Sequence, residues 1–369
     1  MRGLRELVFS VTNRCTARCQ DCPVVHNGEP PATLTPAVMK PIVDDVYGWG
    51  SLGLVVFTGG EPFLLGDDLR EMVAYVARLG VYTRIVTNAY WAKSKEAALA
   101  TLSEMKAAGL TEINFSCDEY HQEFIPMEYI RNANDAAAEI GLPALLAFRR
   151  KPGGSLTPET LSSALGVKLE LFDRKSKNPD NHVVHVGRNL PILSDSQRPY
   201  TEADEIEVGF HGACRSVLGN IVIAPDLHVR ICCGIARHTI PELTIGSLKE
   251  ERLAVILERG NQDLIANWLA LEGPSSILDF VRAKDPEISL PADGYVGICH
   301  ACNQIFSNAR AREILRRYGA EHQTALLMMR GALDWVCDRW MPGSEPMEFD
   351  ESVATQISGV AVKNLPAAS

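Results

Sequence analysis

The stretch Ser10 to Val24, SVTNRCTARCQDCPV, places Cys15, Cys19 and Cys22 in the spacing C-x3-C-x2-C. Thiolates so spaced on one loop can converge on a metal centre, as the cysteine runs of ferredoxins do. Three ligands are one short of the four that close a structural site. A zinc ion would need a fourth, which His26 could supply. A 4Fe-4S cluster on three cysteines would instead leave one iron open to an external chelator. A second group holds Cys214, Cys232, Cys299 and Cys302, with Cys233 directly after Cys232 and with His211 and His300 close by in sequence. Four thiolates suffice for a cluster or for a zinc ribbon, and spacing does not separate the two. The run Asp118 to Phe124, DEYHQEF, gathers Asp118, Glu119, His121 and Glu123. Such groups can orient a substrate or carry a proton, His121 foremost, although a run of this kind also serves as a solvated loop.

These residues sit where a parallel sheet would collect them. Short β-branched runs read as strands: ELVFSVT, LVVFTG, YTRIVTN, EINFSC, ALLAFRR and HVVHVGR. Between them lie helical patterns, TPAVMKPIVDDVYGWG with its Thr-Pro start and DDLREMVAYVARLG and SKEAALATLSEMKAAG with their glycine stops. This alternation predicts right-handed crossovers and an α/β fold, a sheet curved into a partial barrel. Cys15 follows the first strand, Gly59-Gly60-Glu61-Pro62 the second, Asn88 ends the third, and Ser116 to His121 follow the fourth. Ligands bind at the carboxyl ends of such strands, so four unusual sequences there predict one shared site.

CTARCQDC after a first strand and TGGEP after a second resemble the radical S-adenosylmethionine (SAM) enzymes. The resemblance implies a partial (β/α)6 TIM-like barrel whose 4Fe-4S cluster is held by Cys15, Cys19 and Cys22. The open iron takes the amino and carboxylate groups of SAM, and reduction breaks the sulfonium bond to give a 5'-deoxyadenosyl radical. The missing cysteine is then a vacant coordination position. By the same resemblance Gly59, Gly60 and Glu61 accept the SAM amino group. Two glycines allow close backbone approach, and a carboxylate or carbonyl accepts from an ammonium. Asn88 matches a position facing the SAM ribose, with Ala89 where the family has glycine. Ser116 and Asp118 fall near the SAM carboxylate and ribose, although a helix N-cap in a polar turn would look the same.

The segment from Cys214 to Gly234 resembles the auxiliary-cluster domain called SPASM or, in its shorter form, twitch. Cys214, Cys232, Cys299 and Cys302 are enough for one auxiliary 4Fe-4S cluster, which favours the twitch-like form. Leu227 stands where that pattern has a glycine after the matching Asp226, and a turn needing positive φ would strain it. Cys233 is then a spare buried thiol, as Cys117 and Cys337 can be, or the ligand in place of Cys232, or a residue facing the substrate. An S–H bond is weaker than an aliphatic C–H bond, so a protonated Cys233 could return a hydrogen atom to a substrate carbon radical from the opposite face and invert it. Taken together the motifs resemble most the radical SAM peptide epimerases, which convert L- to D-residues. The resemblance leaves open peptide oxidation or cross-linking through thioether or C–C bonds, and sugar epimerisation. Outside the family, a zinc-stapled binding protein would use both cysteine groups structurally.

The expected layout is a barrel over residues 1–195, an auxiliary iron-sulfur domain over 196–305, closing helices over 306–341 and a Pro-, Ala- and Glu-rich tail over 342–369. No segment before Arg5 offers a domain for gripping a leader peptide, so such recognition is expected elsewhere or not at all. A chain of 369 residues with 46% hydrophobic and 22% charged residues is of ordinary globular composition. The net charge of -10 opposes a nucleic-acid partner. No apolar run is long enough for a membrane span, and no cleavable signal precedes the first strand. Ten cysteines in the cytoplasmic chain this implies point to metal or catalysis rather than disulfides. The expected partners are a peptide or small-molecule substrate and a flavodoxin or ferredoxin as electron donor.

Overall fold

The computed structural model describes residues 4–19, 22, 24, 30–148, 154–167, 169–171, 182–186, 212–214, 216–232, 240–290 and 298–340. The chain divides into two compact units, one of Glu6–Glu205 with Val222–His228 and the other of Met1–Arg5, Ile206–Ile221 and Val229–Ser369.

The first unit is a parallel sheet. Its strands are β1 (Glu6–Ser10), β2 (Leu54–Thr58), β3 (Tyr82–Thr87), β4 (Glu112–Ser116), β5 (Ala144–Phe148), β6 (Leu169–Leu171) and β7 (His182–Val186). The pairings among these seven strands are parallel, in the order β1-β2-β3-β4-β5-β7-β6. Parallel strands cannot be joined by tight turns. The links are α1 (Pro36–Tyr47), α2 (Asp67–Arg78), α3 (Lys95–Ala108), the four-residue α4 (Glu119–Gln122) with α5 (Met127–Glu139), and α6 (Pro158–Leu165). Leu7, Phe9, Val55, Phe57, Ile85, Ile113 and Phe115 are fully buried in the sheet. Neighbouring positions of β1 and β2 are buried as well, as a sheet covered on both faces requires.

The six strands read from sequence are present at their expected places. The sheet has a seventh, β6, because the three residues Leu169–Leu171 pair outside β7 and are too few to show a period. Local chemistry sets the helix ends. Thr35 precedes Pro36 at the start of α1, Ser94 caps α3 by accepting from the Ala97 amide, and Gly109 ends α3 at φ 107. The registers bring Ser10 opposite Thr58, Thr87 opposite Phe115 and Ser116 opposite Ala147. The loops after β1 to β4 therefore leave one edge of the sheet side by side.

The other unit is mainly helical, with α7 (Leu253–Gln262), α8 (Leu264–Leu271), α9 (Gly273–Lys284), α10 (Ile298–Ser307), α11 (Ala309–Tyr318) and α12 (Ala320–Trp340) after the strand Thr244–Ser247. Trp268 of α8 is fully buried, stacks on His322 of α12 at 4.4 Å, and donates to Ser276 at 2.9 Å. Because α11 and α12 pack against α9 and α8, they belong to the same unit as the second cysteine group. The expected boundary at residue 195 and the tail over 342–369 lie outside the described residues. Among the described residues no helix is long and apolar enough to cross a membrane.

The hairpin strands Asn220–Ile223 and His228–Arg230 are turned through Ala224 to Leu227, where the Leu227 amide donates to the Ala224 carbonyl at 2.8 Å. Leu227 has φ 63, the left-handed conformation expected at the position of the absent glycine. That conformation costs an L-residue about 1–2 kcal/mol, against about 0.5–1 kcal/mol of extra chain entropy for glycine. Leu227→Gly is therefore expected to stabilise the protein by roughly 0.5 kcal/mol. A denaturant midpoint that rises at constant slope would show it, and a lower midpoint would mean that the half-buried leucine side chain outweighs the strain.

Candidate functional site

The cysteine loop is gripped at its neck. Thr12 and Thr33 form an antiparallel bridge, the Asn13 amide donates to the Ala32 carbonyl at 3.2 Å, and the Asn13 side chain accepts from the Ala32 amide at 2.6 Å and donates to the Pro30 carbonyl at 2.8 Å. On the other side the run after β2 zips onto the same residues. Gly60 donates to the Thr12 carbonyl at 2.6 Å and Glu61 to the Arg14 carbonyl at 2.9 Å. A Cβ on Gly59, which has φ 134, would stand 2.5 Å from the Thr12 oxygen, and one on Gly60 would stand 2.0 Å from the Arg14 oxygen. The glycines are there because the backbone of the cysteine loop occupies the space of their side chains.

Glu61 faces inward and is fully buried. One carboxylate oxygen accepts from the Phe63 amide at 3.1 Å and the Thr87 hydroxyl at 2.8 Å, and the other accepts from the Asn88 amide at 2.9 Å. Burial pushes its pKa up to about 7, outweighing three hydrogen bonds that favour the charged form. The carboxylate is thus engaged within the protein, and any acceptor this run presents to a ligand is main-chain. The Asn88 side chain donates to Cys15 Sγ at 3.5 Å and Thr16 Oγ1 at 3.1 Å, while its oxygen accepts from the Tyr90 amide at 3.0 Å. Ala89 follows in a left-handed conformation, φ 61, at the place where a glycine was expected.

Cys15 also accepts from the Ala17 amide at 3.4 Å, and Cys22 donates through its amide to the Cys19 carbonyl at 3.1 Å. Burial pushes the Cys15 thiol up to about 11, with Glu61 and then Cys22 adding to it. A half-buried thiol that two N–H groups approach fits a ligand of a metal centre. Two N–H groups aimed at the sulfur are the support that a ligand thiolate carries. Cys15, Cys19 and Cys22 would hold such a centre. His26, the alternative fourth ligand, lies outside the described residues.

At the end of β4, Ser116 is half-buried and the Cys117 thiol is buried against Met127 sulfur at 3.9 Å. Burial, and then Asp118, push Cys117 up to about 12, so it is an inert core thiol. Asp118, 1% exposed, caps α4 by accepting from the His121 amide at 3.0 Å and holds His121 Nδ1 at 2.7 Å with the same oxygen. Asp118 is thus both the helix cap and the partner of the His121 ring. Glu119 instead turns to the Ser155 and Leu156 amides at 2.7 and 3.3 Å, and Glu123 is exposed. The acidic run is therefore not a single cluster.

In the other unit, Cys299 and Cys302 lie three residues apart on α10 and share one face. Cys302 is held well above its ordinary pKa by burial and then by Cys232, Cys214 and Cys299, which brings all four thiols within electrostatic reach. Cys232 and Cys302 are buried, and the Cys214 amide donates to the Leu269 carbonyl at 2.8 Å. Among the described residues no three His, Cys, Asp or Glu side chains close on one point as a single bound ion would need. None of the eight cysteines whose side chains are described is in a disulfide. Cys233, the expected hydrogen donor, lies outside the described residues, as does His211.

The sequence reading did not find Thr87 and Thr16, which tie Glu61 and Asn88 to the loop; hydroxyls at strand and loop ends carry no distinctive spacing.

A parallel α/β sheet with a thiol loop at its carboxyl edge is the class of protein that fold and site define. Residues 9–143 match the family model of the Radical SAM superfamily, and the chain carries a radical SAM domain. That domain implies SAM and a 4Fe-4S cluster. The putative peptide biosynthesis protein YydG of Bacillus subtilis is 22% identical over 307 residues, 82% of this chain and 92% of its own length. GTP 3',8-cyclase of Rhodococcus opacus is 33% identical over 221 residues, 53% of this chain and 59% of its own length. The crystal structure of BtrN in complex with AdoMet and 2-DOIA aligns at a TM-score of 0.43 and 12% identity, over 72% of this chain and 87% of that one.

Two outcomes are expected of the framework around Glu61. Gly60→Ala must displace the Arg14 carbonyl, so it is expected to cost about 1–3 kcal/mol and to lower the iron content of the purified protein. Glu61→Gln leaves one of three donors without an acceptor and is expected to cost about 1–3 kcal/mol. Because folding raises the Glu61 pKa from 4.5 to about 7, its contribution is full below the lower value and is lost as pH rises through the upper. The difference in unfolding free energy between wild type and Glu61→Gln should therefore shrink between those two pH values. A flat difference would mean an ordinary carboxyl.

Proposed function

We propose that this protein modifies a peptide by radical SAM chemistry, inverting a carbon centre from L to D with Cys233 as hydrogen-atom donor. The observation that carries the radical SAM part is the three-cysteine loop zipped onto the Gly59-Gly60-Glu61 run at adjacent strand ends. Cys15, Cys19 and Cys22 hold the cluster, and main-chain acceptors of residues 59–61 meet the SAM amino group. Ser116 and Asp118 stand on the next strand end but one, toward the SAM carboxylate and ribose. When bound, cluster and SAM together supply a carbon-centred radical able to take a hydrogen atom from the substrate. The peptide class is supported by likeness to the putative peptide biosynthesis protein over nearly its whole length.

Cys214, Cys232, Cys299 and Cys302 are assigned to an auxiliary 4Fe-4S cluster. Cys233 follows one of those ligands directly, which supports a thiol presented beside an electron carrier. Its S–H bond breaks, a C–H bond forms on the substrate, and one electron and one proton restore the thiol. The electrons come from a low-potential donor of the flavodoxin or ferredoxin class. Asp118 fixes the His121 tautomer with the proton on Nδ1, which leaves Nε2 to orient a polar substrate group or move a proton. Oxidation or cross-linking of a peptide is the second reading, and it needs no thiol donor.

The test is anaerobic reconstitution with iron and sulfide, followed by reduction with SAM and candidate peptides in D2O. Wild type is expected to release 5'-deoxyadenosine and to give a D-residue carrying one deuterium per event. Cys233→Ala should still release deoxyadenosine while the D-residue is lost. Full product from that variant would exclude the donor, a loss of two hydrogens would favour oxidation, and turnover of GTP would overturn the peptide assignment. Zinc in place of iron at Cys15, Cys19 and Cys22 would remove the whole proposal.

A further inference from the structure

The Asn88 side chain is fixed from every side. Its backbone amide is tied to Glu61, its oxygen accepts from the Tyr90 amide, and it is 4% exposed. Turning the amide over would set its NH2 against the Tyr90 N–H, so the orientation is determined. The nitrogen has two hydrogens and two neighbouring acceptors, Thr16 Oγ1 at 3.1 Å and Cys15 Sγ at 3.5 Å. With the Ala17 amide at 3.4 Å, Cys15 receives two N–H groups.

We infer that Asn88 is a positioning residue that sets the reduction potential of the cluster carried by Cys15, Cys19 and Cys22, through its N–H···S hydrogen bond to Cys15. This rests on the radical SAM reading above. A reduced cluster carries one more negative charge than an oxidised one, and that charge spreads onto the ligand sulfurs. A donor on a sulfur therefore stabilises the reduced form more and raises the potential. A cluster that must accept one electron from a low-potential donor gains directly from such a bond. Asn88 is suited to this because the carboxylate of Glu61 and the amide of Tyr90 hold it in place whether or not a ligand is present.

The experiment is an EPR-monitored redox titration of the reconstituted full chain, with dithionite as reductant, following the signal that SAM perturbs. Asn88→Ala is expected to lower the midpoint, so that the reduced-to-oxidised ratio at the wild-type midpoint falls several-fold, up to about tenfold or about 59 mV for a one-electron couple. Thr16→Val removes the neighbouring acceptor, leaves the donor on sulfur, and should keep the wild-type midpoint. Asn88→Leu, close in shape and without a donor, should repeat the shift and decides the matter if the alanine variant does not hold iron. An unmoved midpoint in the Asn88 variants, or an equal shift in Thr16→Val, overturns the inference. Loss of iron from both Asn88 variants would assign the residue to assembly and also overturn it. A wild type with no SAM-sensitive signal would overturn the underlying reading instead.

Discussion

A single buried carboxylate serves three donors from two strand ends. Glu61 leaves β2, yet its oxygens are occupied by Phe63 beside it and by Thr87 and Asn88 at the end of β3. Burying a carboxyl is costly unless it is hydrogen-bonded, so these donors and the acid depend on one another. Through Asn88 the network reaches Cys15 and Thr16, and through the Glu61 amide it reaches Arg14. The ends of β2 and β3 and the cysteine loop after β1 are thereby one unit of structure. A displacement large enough to break one of these bonds would leave a buried group at the centre without its partner.

Close approach does the rest. Sheet strands stand side by side at a fixed spacing, but the run after β2 lies nearer to the loop after β1 than any side chain would permit. The pair Gly59-Gly60 is a consequence of that crowding, and it places main-chain groups rather than side chains at the edge of the sheet. An edge built from backbone has little freedom to adapt.

Much of this could be read from the residues. Strands with Val, Ile and Phe bounded by turn residues stood out, as did Gly109 at the end of α3 and the left-handed position of Leu227. The strand-end placement of Cys15, Gly59, Asn88 and Asp118 followed from the alternation alone. Side-chain direction did not follow: Glu61 reads as an exposed acceptor but points into the core, because nothing local announces that three donors converge there. Glu119 and Glu123 look equivalent to Asp118 in sequence, and only the cap at α4 separates them. The helix α8 escaped notice because LIANWLAL is apolar nearly all round, which leaves little amphipathic period to detect. The short β6 had no period at all.

The clip between residues 11–14 and 30–34 has a bearing on the protein's working life. Its bonds are made by Thr12, Asn13, Ala32 and Thr33, none of which is a thiol. The two ends of the loop are therefore joined without help from iron, and the entropy of bringing them together is met by the polypeptide itself. Were oxygen to destroy an inorganic centre held by these cysteines, the bonds of the stem would not be among those broken. A scaffold that had lost such a metal would still hold the two ends of the loop together, ready to be filled again.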